Sequence, residues 1–171
     1  MSHIGQVINA MIAYYAGDVR RINHFLKVYG FAKAIGEMEG LDENTQEIIE
    51  IAALTHDIGI KNSEKKYNSS AGNYQQIEGP PEAKKLLEGL GIESGVIDRV
   101  CWLIAHHHTY TDIQGIDYQI LVEADFLVNF YEDDMSIDSV HSDGGKMFKT
   151  LSGKSILNAI YALRKIRSTI S

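Results

Sequence analysis

The residues best able to do chemistry are a histidine, a His-Asp pair, a histidine run and an aspartate, each set against an apolar helical stripe. They are His24, His56 with Asp57, His106 to His108, and Asp125. His56 and Asp57 end the run Ile48, Ile49, Ile51, Ala52, Ala53, Leu54. A carboxylate buried there is costly unless something positive compensates it. Asp125 shares one stripe with Tyr118, Leu121 and Val128. An Arg or Lys answers that anomaly in one reading and a metal ion in the other. His107 continues the stripe of Val96, Val100 and Leu103 and should point inward. His108 follows Cys101 and Ile104 at the edge of that face, and His106 follows Arg99 and Trp102 to the outside. Any one of these histidines, taken alone, reads as a structural or surface residue. Together they give the order His, His-Asp, His, Asp, which can converge inside a helical bundle. Imidazole and carboxylate donors without cysteine suit a first-row transition ion or Mg²⁺.

The elements that must position these residues are helical. No sustained period-2 alternation calls for strands, and the fold expected is an all-α, single-domain helical bundle over residues 1–171. Helices are expected at Ser2 to Ala16, closed by Gly17, then from the Asp18 cap to Met38, and from Asp42 or Glu43 to Asp57. Ile60 to Gly79 is polar and rich in Ser, Asn, Gly and Tyr, and reads as a long functional or mobile loop. The only prolines, Pro80 and Pro81, then open a helix to Leu90. Further helices cover Glu93 to His108 and Asp117 to Glu132. A loop from Asp133 to Thr150 precedes a last helix from Ser152 to Ile170.

Composition narrows the partners. The chain has 171 residues, 16 Lys and Arg against 23 Asp and Glu, and a formal net charge of −7. That balance argues against binding a nucleic-acid polymer, which normally needs excess positive charge. The lone Cys101 excludes an internal disulfide framework and fits a reducing cytosol. No stretch approaches the ~18 consecutive apolar residues of a membrane span. Ile4 to Ala16 reads as a helix and not as a signal peptide, so the location expected is cytoplasmic.

At the residues RINHFLKV around His24, LTHDIG around His56 and Asp57, and EADFL around Asp125, the chain resembles the HD superfamily of metal-dependent phosphohydrolases. The resemblance runs from about Val19 to Asn129, with a motif-bearing core near residues 18–132. It implies that His24, His56, Asp57 and Asp125 bind a metal ion. Ile104, His107 and His108 fit the IxxHH spacing of a two-metal subset, one bacterial branch of which hydrolyses diadenosine tetraphosphate. EGPPEA, from Glu78 to Ala83, is similar to the HGPxGA segment of that branch, with Glu78 where the branch has histidine. Glu78 is then a ligand of a second metal, or a residue behind a single metal, or an acidic residue favoured before the Pro80 helix by its dipole. The cofactor implied is one or two divalent ions drawn from Fe, Mn, Co, Ni, Zn and Mg.

The activity implied is hydrolysis of a small phosphorylated molecule, with nucleotides leading, by metal-activated water. Asp57 would hold metal and accept the proton of that water. On the second helix Arg20, His24 and Lys27 share one face, which is either solvated or a source of cations for phosphate. Arg20, Lys27 and Lys61 are the candidate phosphate contacts, and Lys27 and Lys61 the candidate catalytic cations beside Asp57. The rival readings are a di-iron oxygenase of the same superfamily and a non-catalytic nucleotide-binding module. Exposed Tyr and Ile on the first and last helices suit either a homodimer face or a cover for the core.

Overall fold

In the computed structural model, residues 3–162 are described, and among them the chain is helical, without strands. The helices are α1 His3–Tyr14, α2 Val19–Glu39, α3 Glu43–Thr55, α4 Ile60–Tyr67, α5 Gly72–Gly89, α6 Ser94–His106, α7 Ile116–Glu132, α8 Ile137–Met147 and α9 Leu151–Ile160. Short side chains set the starts. Asp18 accepts from the Arg21 amide at 3.1 Å and Asp42 from the Thr45 amide at 3.0 Å. At the end of α2, Gly40 takes φ 72°, where a Cβ would be strained, and its amide bonds back to Glu37.

The core is built around α3, which is buried at every position from Ile48 to Thr55. It packs against α1, α2, α6 and α7. Val7 and Met11, Phe25 and Val28, Leu103 and Ile104, and Leu121 and Leu127 close around it. Each such side chain contributes roughly 1.5–3 kcal/mol on burial. His56 and Asp57 follow directly from this central rod, so the dyad sits at the end of a helix enclosed by four others.

Two expected loops are instead helices. Ile60 to Gly79 forms α4 and the first half of α5, and Asp133 to Thr150 contains α8. Both α4 and α8 are short and bury only two residues each, Ile60 with Ser63 and Val140 with Gly144. At 8 and 11 residues they are too short and too polar to stand out in a longer sequence window. Pro80 and Pro81 lie inside α5, where proline normally costs about 3 kcal/mol or more. Packing of α5 along α6 outweighs that preference. The last helix ends at Ile160, where Tyr161 and Ala162 form a turn in place of the expected Ser152 to Ile170 helix, and positions 163–170 of that expectation lie outside the described residues.

Candidate metal centre

The turn after α3 is held from three sides. Tyr15 donates its hydroxyl to the Asp57 carbonyl at 2.8 Å, and Tyr14 donates to the Ile58 carbonyl at 3.3 Å. Gly59 meets α5 so closely that a Cβ would lie 2.7 Å from the Gly79 amide and the Gln75 carbonyl. Only glycine permits this contact, and it brings α5 against the His-Asp turn.

Four of the residues singled out from the sequence converge there. Nε2 of His24 lies 3.3 Å from Nε2 of His56, 3.4 Å from Oδ2 of Asp57 and 3.3 Å from Oδ1 of Asp125. Nε2 of His56 is 3.5 Å from Asp57 and 3.6 Å from Asp125. Donors bound to one ion at about 2.0–2.1 Å in tetrahedral geometry stand roughly 3.3–3.4 Å apart. The observed spacings suit neighbouring donors of one ion, with His24, His56 and Asp57 mutually close and Asp125 facing both imidazoles. Oδ1 of Asp125 is buried and has no hydrogen-bond partner.

The far nitrogens set the tautomers. Nδ1 of His56 faces the Ala53 carbonyl at 2.8 Å, and Nδ1 of His107 faces the Ile104 carbonyl at 2.7 Å. A carbonyl only accepts, so each Nδ1 carries a proton, and Nε2 is the nitrogen each ring would offer to a metal ion. Nε2 of His107 is buried without a hydrogen-bond partner, 3.6 Å from Oδ1 of Asp57. Asp57 thus presents one oxygen to the first group and the other to His107. His108 joins this second group: one donor atom each of Asp57, His107 and His108 lies within 4.8 Å of the others.

Electrostatics agree with a cation site. Burial alone would raise the carboxyls of Asp57 and Asp125, but the imidazoles facing them hold both well below the ordinary range. Burial would discharge His56, yet Asp57 and Asp125 outweigh it and push the ring up to about 9; His24 is raised for the same reason. His108 runs the other way, pushed down to about 4 by burial and then by His107.

The structure does not bring every expected residue to the centre. Lys66 and Tyr67 engage Glu78 at 2.6 and 3.0 Å, and it belongs to neither donor group. Lys66 also holds the Glu78 carboxyl below its usual range. Lys61 bonds the Tyr14 carbonyl at 3.1 Å and lies over the Tyr14 ring. Lys27 pairs with Glu132 at 2.7 Å. Neither lysine lines the cleft beside the centre, as a phosphate contact or a catalytic cation would. His106 stacks on Trp102 at 4.1 Å, on the outer side, as its position implies.

Arg20 does line that cleft, a cavity of about 340 Å³ whose wall includes Arg21, His24, Asp57, Ser70 and Asn129. Arg21 is clamped by Asp18 and Glu64 at 3.0 and 2.5 Å. Arg20 is exposed and makes no ion pair among the described residues. Nothing in the sequence analysis singles out Arg21, Gln75, Asn129 or Glu132. Only Glu132 carried a signal, lying seven residues after Asp125 on the same helix face.

Comparison with known proteins agrees with this geometry. No curated protein matches the sequence. The chain is similar to a crystal structure described as a predicted HD superfamily hydrolase from an uncultured Thermotogales bacterium. The TM-score is 0.68 at 21% identity, covering 94% of this chain and 86% of that one. At that identity the likeness speaks to the fold. The HD domain family matches residues 21–140, a span that contains His24, His56, Asp57, His107, His108 and Asp125, and the chain belongs to this family.

Proposed function

We propose that this protein is a metal-dependent phosphohydrolase acting on a small phosphorylated molecule. The observation that carries the reading is the shell of donors around the unpartnered Asp125 oxygen, opening on a cleft whose rim holds the unpaired Arg20. His24, His56, Asp57 and Asp125 would hold one divalent ion, and His107 and His108, sharing Asp57, would hold a second. A bound ion supplies Lewis acidity and a water of lowered pKa. Arg20 can grip a phosphoryl group with a fixed fork of N–H donors, and Ser70 and Asn129 can hydrogen-bond its remaining oxygens. Asp57, partly open to the cleft, would hold metal and orient the nucleophile.

Nucleotides are the leading substrate class by family resemblance, with diadenosine polyphosphates as its narrower form. The cleft lining is mostly polar and, among the described residues, contains no Phe, Tyr or Trp. It favours recognition of phosphate and sugar over stacking of a base. The absence of a membrane-spanning helix among the described residues and the lone Cys101 support a cytoplasmic protein. The test is release of phosphate or mononucleotide from a panel of phosphorylated metabolites by Mn²⁺-, Fe²⁺-, Co²⁺- and Mg²⁺-loaded protein, with a chelated control. Turnover by loaded protein alone supports the reading. Nucleotide binding without turnover under every metal sinks it in favour of a binding module, and oxygen uptake by iron-loaded protein would favour an oxygenase.

A further inference from the structure

Glu132 ends α7 seven residues after Asp125, and two turns of helix place both carboxylates on one face. They approach the same ring from opposite sides. Asp125 faces Nε2 of His24 at 3.3 Å, while Oε2 of Glu132 lies 2.9 Å from Nδ1. The other Glu132 oxygen is 2.7 Å from Nζ of Lys27, one turn beyond His24 on α2. Each of the two helices therefore supplies one residue of the donor shell and one residue behind it.

His24 differs in this from His56 and His107, whose Nδ1 atoms face neutral backbone carbonyls. A carboxylate is the stronger acceptor, and it increases the electron density a ring offers at its opposite nitrogen. Glu132 also lines the cleft, where an uncompensated charge would repel a phosphate. We infer that Glu132 is a positioning residue for metal capture, which fixes the tautomer of His24 and strengthens Nε2 as a donor, and that Lys27 neutralises Glu132 toward an anionic substrate. This assigns Lys27 a role through Glu132 and not through the phosphate, and it rests on the reading of His24 as a ligand.

The experiment is a Co²⁺ titration of chelator-stripped full-length protein, read by visible absorption, for wild type, Glu132→Gln, Glu132→Ala and Lys27→Met. Glu132→Gln keeps the shape and an oxygen that can accept from Nδ1, so loss of fold is not expected, and thermal melts of the stripped proteins check it. Affinity should fall about 10-fold in Glu132→Gln and up to about 100-fold in Glu132→Ala. Lys27→Met should bind Co²⁺ at least as tightly as wild type, because Glu132 then keeps its full charge beside His24, while KM for a phosphorylated substrate rises. The inference is overturned if Glu132→Gln stays within about twofold of wild type. It is overturned equally if Lys27→Met loses as much affinity as Glu132→Gln, since both changes would then act through the scaffold. A wild-type protein that binds no Co²⁺ removes the metal-hydrolase reading itself and this inference with it.

Discussion

Glu123 and Asp125 lie two residues apart on α7, both buried, and their surroundings could hardly differ more. Glu123 accepts from the backbone amides of Lys149 and Thr150 at 2.6 and 2.9 Å, from Gln119 at 2.8 Å and from the Thr150 hydroxyl at 2.5 Å. Its charge is fully used in fastening the start of α9. Asp125 faces imidazole nitrogens and leaves Oδ1 without a hydrogen bond. Farther up the helix, Asp117 is gripped by both arms of Arg99 at 2.7 Å. The ion-pair explanation weighed for Asp125 thus applies to Asp117. A buried carboxylate points to a site only when the donors around it fail to close its shell.

The largest effect that could break this contrast is expected at Asp125. Asp125→Asn should lower hydrolysis by at least ~10³-fold, the several kcal/mol a Lewis-acid metal supplies, and should lower metal content with it. The chelated variant should stay folded but melt below chelated wild type, because His24 and His56 lose a facing carboxylate. Metal and turnover retained in Asp125→Asn would make Asp125 one more closed carboxylate. Glu123→Ala should do the reverse, costing roughly 3 kcal/mol in a denaturant titration because a buried amide, a part-buried amide and the Thr150 hydroxyl lose their acceptor, with metal stoichiometry intact. A Glu123 variant that sheds metal would erase the distinction.

The contrast should also appear in pH dependence. The raised imidazoles of the centre add stability that is fully present below the ordinary imidazole pKa of about 6.5 and is lost as pH rises through about 9. Chelated protein should therefore lose melting temperature across that window, and metal-loaded protein should not, because its ligand imidazoles carry no proton at Nε2. His108 works in the opposite sense, disfavouring the fold as pH falls from about 6.5 toward about 4. Parallel curves for the two forms would contradict the assignment of His24 and His56. The smallest change is expected for Glu78→Ala. Elemental analysis should find no ion lost, with a slight fall in melting temperature as Lys66 and Tyr67 lose their partner. One ion lost would restore Glu78 as a ligand.

How much could be read without coordinates follows from the same physics. The all-helical architecture and the convergence of His24, His56, Asp57 and Asp125 were legible because a polar residue on an apolar stripe is an anomaly that demands compensation. Helix α4 was not, so the Lys66 and Tyr67 partners of Glu78 could not be read. Lys66 reaches that carboxylate only because α4 lays its last turn against α5. Lys27 and Lys61 were assigned to phosphate from their nearness in sequence to ligands. Sequence position tells which helix a cation occupies and not which acceptor it meets, and here the acceptors are Glu132 and the Tyr14 carbonyl. Arg20 could not be told from Lys27 for the same reason. Glu123 gave no signal because its partners come from the start of α9, 26 and 27 residues farther along.

The tethering of His56 and His107 to carbonyls three residues earlier has a consequence for ionic size. Those rings are ordered when the chain folds, so no conformational search remains when an ion arrives. Widening the shell at these two rings would take them off their carbonyl acceptors. Ions with short bonds to nitrogen match the spacings seen. Calcium would need six to eight oxygen donors at about 2.3–2.6 Å, which imidazoles do not supply.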